Sequence, residues 1–305
     1  MKVLIVGLGS IGLKHVSILK QIKPKIIIYA YRSTKKVTET KGIINLFSFD
    51  ELRKHDFYFI LISTPSALHK RHILKLSELQ VPMMIEKPLC ISKKQVMELS
   101  SFSFDNLTYI ACNMRFHPMI IFIKEMLKKN EYKVNEVNIY CGSYLPNWRK
   151  DREYSKIYSS IKKLGGGVHL DLIHEFDYLI FLFGFPQKIL KKYRKVSNLK
   201  GDSIDYANIY CSYNSFSAQI TLNYFRKDKK RILEIVTEKE TFEIDFVNGK
   251  ILELSTSKII FQENAHDLMQ DSYFEQFRYL LDCIEKKQTP MNNLNESISV
   301  LNHIL

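Results

Sequence analysis

The chain opens Lys2-Val3-Leu4-Ile5-Val6-Gly7-Leu8-Gly9-Ser10-Ile11-Gly12, and Leu13, Val16, Ile18 and Leu19 follow at helical spacing before Pro24. A short β-branched run, G-x-G-x-x-G and an amphipathic helix in that order form the dinucleotide-binding fingerprint in the context that gives it meaning. Gly7 permits the tight turn, Gly9 lets backbone amides approach a pyrophosphate, and Gly12 lets the helix close on the strand. The positive end of the helix then faces the phosphates, with Ser10 and Ile11 in its first turn. Leu4 to Leu13 is apolar after one lysine, but no small-residue cleavage site follows it, so it reads as folded structure and not as a secretory signal.

The chain has 305 residues, which predicts two domains. No apolar run approaches the roughly 18 residues that span a bilayer; the densest is Tyr178-Leu179-Ile180-Phe181-Leu182-Phe183. Five cysteines (Cys90, Cys112, Cys141, Cys211, Cys283) are scattered, without C-x-x-C pairs. That pattern predicts a reducing, cytoplasmic setting and neither a zinc site nor a disulfide framework. The net charge is +13. Its densest cluster, Arg226-Lys227-Asp228-Lys229-Lys230-Arg231, comes with no nucleic-acid motif and is expected at a turn. The expected partners therefore include neither nucleic acid nor membrane, and the positive potential favours anionic small molecules.

Beyond Pro24, Lys25 to Tyr31 reads as a second strand. An acid about 20 residues past the glycines would bind an unphosphorylated ribose. Here Arg32, Ser33 and Lys36 stand in that region and no acid does. A cation and a hydroxyl suit a 2′-phosphate, so NADP(H) is favoured over NAD(H). Further strands are expected at 43–47, 57–62, 81–85 and 108–112, alternating with helices near 69–78 and 92–101. The economical assembly is a doubly wound parallel sheet. Ligands of such sheets bind beyond the carboxyl ends of the strands. Those ends carry Thr64-Pro65 with His69, Glu86-Lys87-Pro88, and Asn113.

From about residue 119 the pattern changes. A helix to 130 and a strand over 134–145 lead to Trp148-Arg149. Gly165-Gly166-Gly167 opens a helix to about Phe183. Seven strands then follow between 188 and 262, with Asn248-Gly249 as a hairpin signal. The domains predicted are 1–118 and 119–305, with the closing helices able to pack back on the first.

Lys87, at a sheet's carboxyl edge before a proline, can donate a proton to a substrate oxygen or polarise it. Asp171 and His174 share one helical face in apolar surroundings, where a carboxylate and an imidazole need partners or a task. His174 is a candidate acid or base. His169, Asp171 and His174 do not converge as metal ligands. Trp148 and Arg149 suit stacking on a nucleotide and pairing with its charge.

Taken together, these motifs resemble the glucose–fructose oxidoreductase / inositol dehydrogenase / rhizopine-catabolism (Gfo/Idh/MocA) family across essentially the whole chain. The resemblance implies an N-terminal Rossmann domain and a C-terminal α/β domain with an open, mostly antiparallel sheet. It also implies a homodimer or homotetramer and hydride transfer between NAD(P) and a carbinol carbon of a sugar, cyclitol or sugar nucleotide. The Tyr144–Arg149 loop and Leu170-Asp171-Leu172-Ile173-His174 resemble the branch linked to surface-carbohydrate biosynthesis. Carried over residue by residue, Lys87 and His174 are the acid/base pair and Asp171 orients the chemistry. Thr64, Pro65, His69, Glu86, Lys87, Asn113, Trp148 and Arg149 line the cofactor. The chain departs from the family pattern in one place: Asp171 stands three residues before His174, where many members have four. Two alternatives share the same motifs: a cofactor-sensing protein without turnover, and an enzyme that retains NAD and acts by transient oxidation.

Overall fold

The computed structural model describes residues 1–35, 39–104, 106–129, 132–149 and 152–305; Lys36 lies outside them. The chain divides into two compact units, Met1–Cys112 with Phe274–His303 and Leu305, and Asn113–Tyr273 with Ile304.

The first unit holds a six-stranded parallel sheet in the order β3-β2-β1-β4-β5-β6. The strands are β1 (Lys2–Val6), β2 (Ile27–Tyr31), β3 (Ile43–Leu46), β4 (Phe59–Ile62), β5 (Met83–Glu86) and β6 (Thr108–Ala111). Every residue of β4, β5 and β6 is buried, as strands covered on both faces require. Helix α1 (Ser10–Ile22) buries Gly12, His15, Val16, Ile18 and Leu19, one stripe at helical spacing. The short α2 (Phe49–Leu52) is capped by Ser48, whose side chain accepts from the Glu51 amide. Helices α3 (His69–Leu76) and α4 (Lys93–Ser100) connect β4 to β5 and β5 to β6. The strand order reverses between β1 and β4, and this is where an open α/β sheet leaves its crevice.

The second unit begins with Asn113, Arg115 and His117, which the alternation of strands and helices had placed in the first domain. The partners of Arg115 and Asn113 explain it: Arg115 makes a paired bond to Asp177, and the Asn113 amide reaches Ser272. After α5 (Pro118–Lys129) comes an eight-stranded mixed sheet, β14-β13-β12-β11-β7-β10-β9-β8. Its strands are β7 (Val134–Tyr144), β8 (Lys188–Arg194), β9 (Tyr206–Ser212), β10 (Ser217–Asn223), β11 (Phe225–Thr237), β12 (Thr241–Asp245), β13 (Lys250–Glu253) and β14 (Lys258–Gln262). Strands β10 and β11 flank β7, the former parallel to it and the latter antiparallel. The basic run 226–231 therefore lies within a strand and not at a turn, with its irregularity taken up as a register shift between Phe225 and Lys230.

The helix expected to run from the three glycines to Phe183 is two helices, α6 (Val168–Asp171) and α7 (His174–Phe183). Leu172 departs from helical angles (φ −100°, ψ 30°) between them. Helix α8 (Ala265–Lys286) starts in the second unit and ends in the first. Helix α9 (Leu294–Ile304) follows a segment that edges β6: the Ile110 amide donates to the Asn292 carbonyl at 2.9 Å, and the Asn292 side chain returns a bond to the Ile110 carbonyl at 2.8 Å. All five cysteines are buried thiols outside any disulfide. Among the described residues no helix is long and apolar enough to cross a membrane.

Candidate functional site

In the first unit, the ends of β1, β2, β4 and β5 bring Gly7, Gly9, Ser10, Ile11, Gly12, Arg32, Ser33, Thr64, Pro65, Glu86 and Lys87 to one edge of the sheet. Helix α1 can close on this edge only because residue 12 has no side chain: a Cβ there would stand 2.1 Å from the Gly7 carbonyl oxygen. The Ser63 hydroxyl donates to that same carbonyl at 2.7 Å, tying β4 to the glycine turn across the switch point. Gly9 is the opposite case, since a Cβ added there meets nothing within 4 Å. It caps α1 without a side-chain bond, and the first turn carries no acid. The space beside Gly9 is thus open at the positive end of α1, the surroundings a pyrophosphate needs. The residues present fit a dinucleotide.

The loop after β5 is gripped from two sides. His15 Nε2 meets Glu86 Oε1 at 2.5 Å, both groups being buried, and Glu86 Oε2 accepts from the Lys87 backbone amide at 3.1 Å. Burial works to raise the Glu86 carboxyl, but the bond to His15, with the charges of His15, Lys87 and His69, outweighs it and holds the carboxyl below its ordinary range. Burial lowers the neighbouring Lys14 ammonium against the pull of Glu86. His69 is 1% exposed, with one ring nitrogen 2.9 Å from the Pro88 carbonyl and the other 2.8 Å from the Thr64 carbonyl. Burial holds its pKa down against the bonds to both carbonyls. His69 is committed to joining the two loops. Lys87 itself is half-buried.

In the second unit the glycines bring the segment before them onto α6. A Cβ on Gly166 would lie 2.4 Å from the Tyr158 carbonyl oxygen, so only glycine admits this approach. It puts the Tyr158 hydroxyl on Asp171 Oδ1, while the Tyr224 hydroxyl donates to Asp171 Oδ2. Asp171 is 4% exposed, and Tyr224 is wholly buried. Burial, then the Asp171 charge, pushes the Tyr224 phenol well up, although a backbone bond from Gly167 opposes them, so it remains a donor. Trp148 stands edge-on to Tyr224, with ring centres 5.3 Å apart, and donates its indole N–H to Ser143 Oγ at 2.8 Å. Asp171, Tyr158, Tyr224 and Trp148 are therefore one cluster. His174 begins α7, half-buried, just past the break after Asp171.

Helix α7 is pinned by two buried ion pairs. Arg115 donates to Asp177 through Nε at 2.9 Å and Nη2 at 2.8 Å, and Arg231 Nε lies 2.6 Å from Glu175 Oε1. The Asn113 side chain, expected at a cofactor, donates to Ser272 Oγ at 2.7 Å. His169 stacks on Tyr193 at 4.4 Å, and burial followed by the charges of Lys191 and Lys162 lowers its pKa to about 4. Among the described residues, no cluster of His, Cys, Asp or Glu has the makings of a metal site.

Sequence reasoning missed His15, Tyr158 and Tyr224. His15 carried a signal, a histidine on the buried stripe of α1; the tyrosines, 13 and 53 residues from Asp171, carried none.

Two family models match the chain: "Oxidoreductase family, NAD-binding Rossmann fold" over residues 1–102, and "Oxidoreductase family, C-terminal alpha/beta domain" over 124–302. The chain is 26% identical over 161 residues to an uncharacterized oxidoreductase of Streptococcus pneumoniae serotype 4, covering 52% of this chain and 43% of that one. It is 25% identical over 139 residues to the 2,7-anhydro-N-acetylneuraminate hydratase of Mediterraneibacter gnavus, covering 45% and 36%. The chain thus spans less than half the length of these two curated relatives. Among solved structures it is similar to the WlbA dehydrogenase from Bordetella pertussis in complex with NADH and UDP-GlcNAcA, with a TM-score of 0.81 and 13% identity, covering 100% of this chain and 94% of that one.

Proposed function

Because the chain belongs to the Gfo/Idh/MocA oxidoreductase family, we propose that it transfers a hydride between a nicotinamide dinucleotide, NADP(H) in preference to NAD(H), and a carbinol or keto carbon of a sugar or sugar nucleotide in carbohydrate biosynthesis. The observation that carries this reading is the glycine turn at the sheet's switch point, closed by Gly12 and open at Gly9. Gly7 to Gly12 would hold the pyrophosphate. Arg32 and Ser33, at the end of β2 with no acid beside them, favour a phosphorylated ribose. When bound, the nicotinamide supplies or accepts the hydride.

The chain's own residues move the proton. Lys87, on a loop fixed by Glu86 and His15, donates to the substrate oxygen or polarises it. His174 is the second proton carrier. Asp171 is held by two phenols and orients the cluster. Trp148, 37% exposed beside Tyr224, offers a ring edge and face for stacking.

The likeness to a hydratase supports a second reading, in which the dinucleotide stays bound and oxidation is transient. One experiment separates them: the protein is incubated with NADPH or NADH and a panel of UDP-sugars and their keto forms, following nicotinamide absorbance and product mass together. The first reading predicts stoichiometric consumption of the nicotinamide. It also predicts a loss of turnover of about 10²–10⁴-fold in Lys87→Ala and in His174→Ala with cofactor binding retained. Product without net consumption would select the second. Unchanged turnover in Lys87→Ala would remove that lysine from the chemistry.

A further inference from the structure

Tyr31 is the last residue of β2, level with Val6 of β1 and Leu46 of β3. Gly7 follows Val6, so Tyr31 is rooted one strand spacing, about 4.8 Å, from the base of the glycine turn. Tyr31 and Arg32 stand 19 and 20 residues past Gly12. An acid in that region would bind an unphosphorylated ribose. What stands here is a phenol that carries a cation: Lys75 Nζ donates to the Tyr31 hydroxyl at 2.7 Å. The same ammonium lies 5.0 Å from the centre of the Tyr31 ring and 5.4 Å from that of Phe49.

The last turn of a helix favours a lysine on its own account. The dipole does not explain why this one turns onto a phenol oxygen and two rings. Among the described residues, no carboxylate pairs with Lys75 or with Arg32. A half-buried ammonium held by rings and a neutral oxygen is poised for an anion. Lys75 also acts toward the β4 loop: its charge, after burial and the charges of His69 and Arg71, helps push His72 down to about 4, and His72 Nδ1 lies 3.1 Å from Thr64 Oγ1. The cation thus has a neighbour at the end of β2 and another whose ring reaches the loop after β4, the two strands that flank β1.

We propose that Lys75, seated on Tyr31, is the second cation of a 2′-phosphate site whose first is Arg32, and that it is a determinant of preference for the phosphorylated dinucleotide. This rests on reading the carboxyl edge of the first sheet as the dinucleotide site.

The test titrates wild type, Lys75→Gln and Tyr31→Phe with 2′-AMP, 5′-AMP, NADPH and NADH, by calorimetry or nicotinamide fluorescence, with thermal melts as a check on folding. The expected result is that Lys75→Gln weakens 2′-AMP and NADPH by about tenfold and leaves 5′-AMP and NADH within about twofold. Tyr31→Phe, which frees the ammonium from its seat, falls between. If wild type prefers NADPH and Lys75→Gln keeps that preference undiminished, the proposal is overturned and the site reading stands. If Lys75→Gln weakens all four ligands equally, Lys75 is structural and the proposal is likewise overturned. Wild type that binds neither dinucleotide overturns the site reading and the proposal together.

Discussion

Replacing Asp177 by alanine leaves the Arg115 guanidinium buried without its carboxylate. The two side chains are 2% and 1% exposed and share two bonds, at 2.9 and 2.8 Å. Water cannot reach the stranded charge in the native fold, so the change costs its uncompensated desolvation and not merely the value of a surface ion pair. Removing one partner of such a pair costs about 3–5 kcal/mol. The second unit runs from Asn113 to Tyr273. For a unit of that size each kcal/mol shifts the melting midpoint by about 2–4 °C, so the expected fall is about 6–20 °C. Trp148 is the sole tryptophan and belongs to this unit, so its emission follows the right transition. Urea titration with calorimetry gives the free energy. The double variant Arg115→Met with Asp177→Leu removes both charges and should regain most of the loss, because the pair is worth little against well-packed apolar groups. A loss under about 1 kcal/mol in Asp177→Ala, or a double variant no better than the single one, would refute this account.

The glycine turn predicts a contrast. Gly9→Ala should leave stability within about 0.5 kcal/mol while weakening dinucleotide binding at least tenfold by occupying the open face, whereas Gly12→Ala, 2.1 Å from a carbonyl oxygen, should lower stability and binding together; thermal melts and fluorescence titration decide. His117 is 1% exposed, and burial, then the charge of Arg231, lowers its pKa to about 3. The unfolded chain binds that proton near pH 6.5, so stability should be full above that pH and fall as pH drops toward 3. His72 and His169, both lowered to about 4, share the window. His117→Gln should flatten the decline of the urea midpoint between pH 7 and 4, and an unchanged slope would contradict it. Tyr224→Phe takes a donor from a buried carboxylate and should cost about 1.5–3 kcal/mol by denaturant titration; Tyr158→Phe should cost less stability and lower kcat at nearly constant KM.

Much of the architecture was legible in the chain. Strand, G-x-G-x-x-G and helix are local signals: apolar runs such as Phe59-Ile60-Leu61-Ile62 and the stripe His15, Val16, Ile18, Leu19 report backbone conformation through side-chain period alone. Lys87 stood out in the sequence because a strand end and a proline mark it. The acid-free stretch after β2 was likewise visible, because it is an absence at a known spacing.

Other features depended on where distant segments come to lie. His15 meets Glu86 across 71 residues, Tyr224 meets Asp171 across 53, and Lys75 meets Tyr31 across 44. No local period encodes such pairings, which follow from strand order and from which faces are buried. The break after Asp171 was hidden because Leu172 and Ile173 continue an apolar helical pattern. The basic run 226–231 looked like a turn by composition, yet it lies inside β11, where pairing with β7 skips from Phe225 to Lys230 and resumes through Lys230 and Arg231. Sequence by itself determined which elements form and which residue types stand at their ends. Tertiary structure decided which of those residues share a hydrogen bond, because a buried polar group takes its partner from whatever the fold brings within about 3 Å.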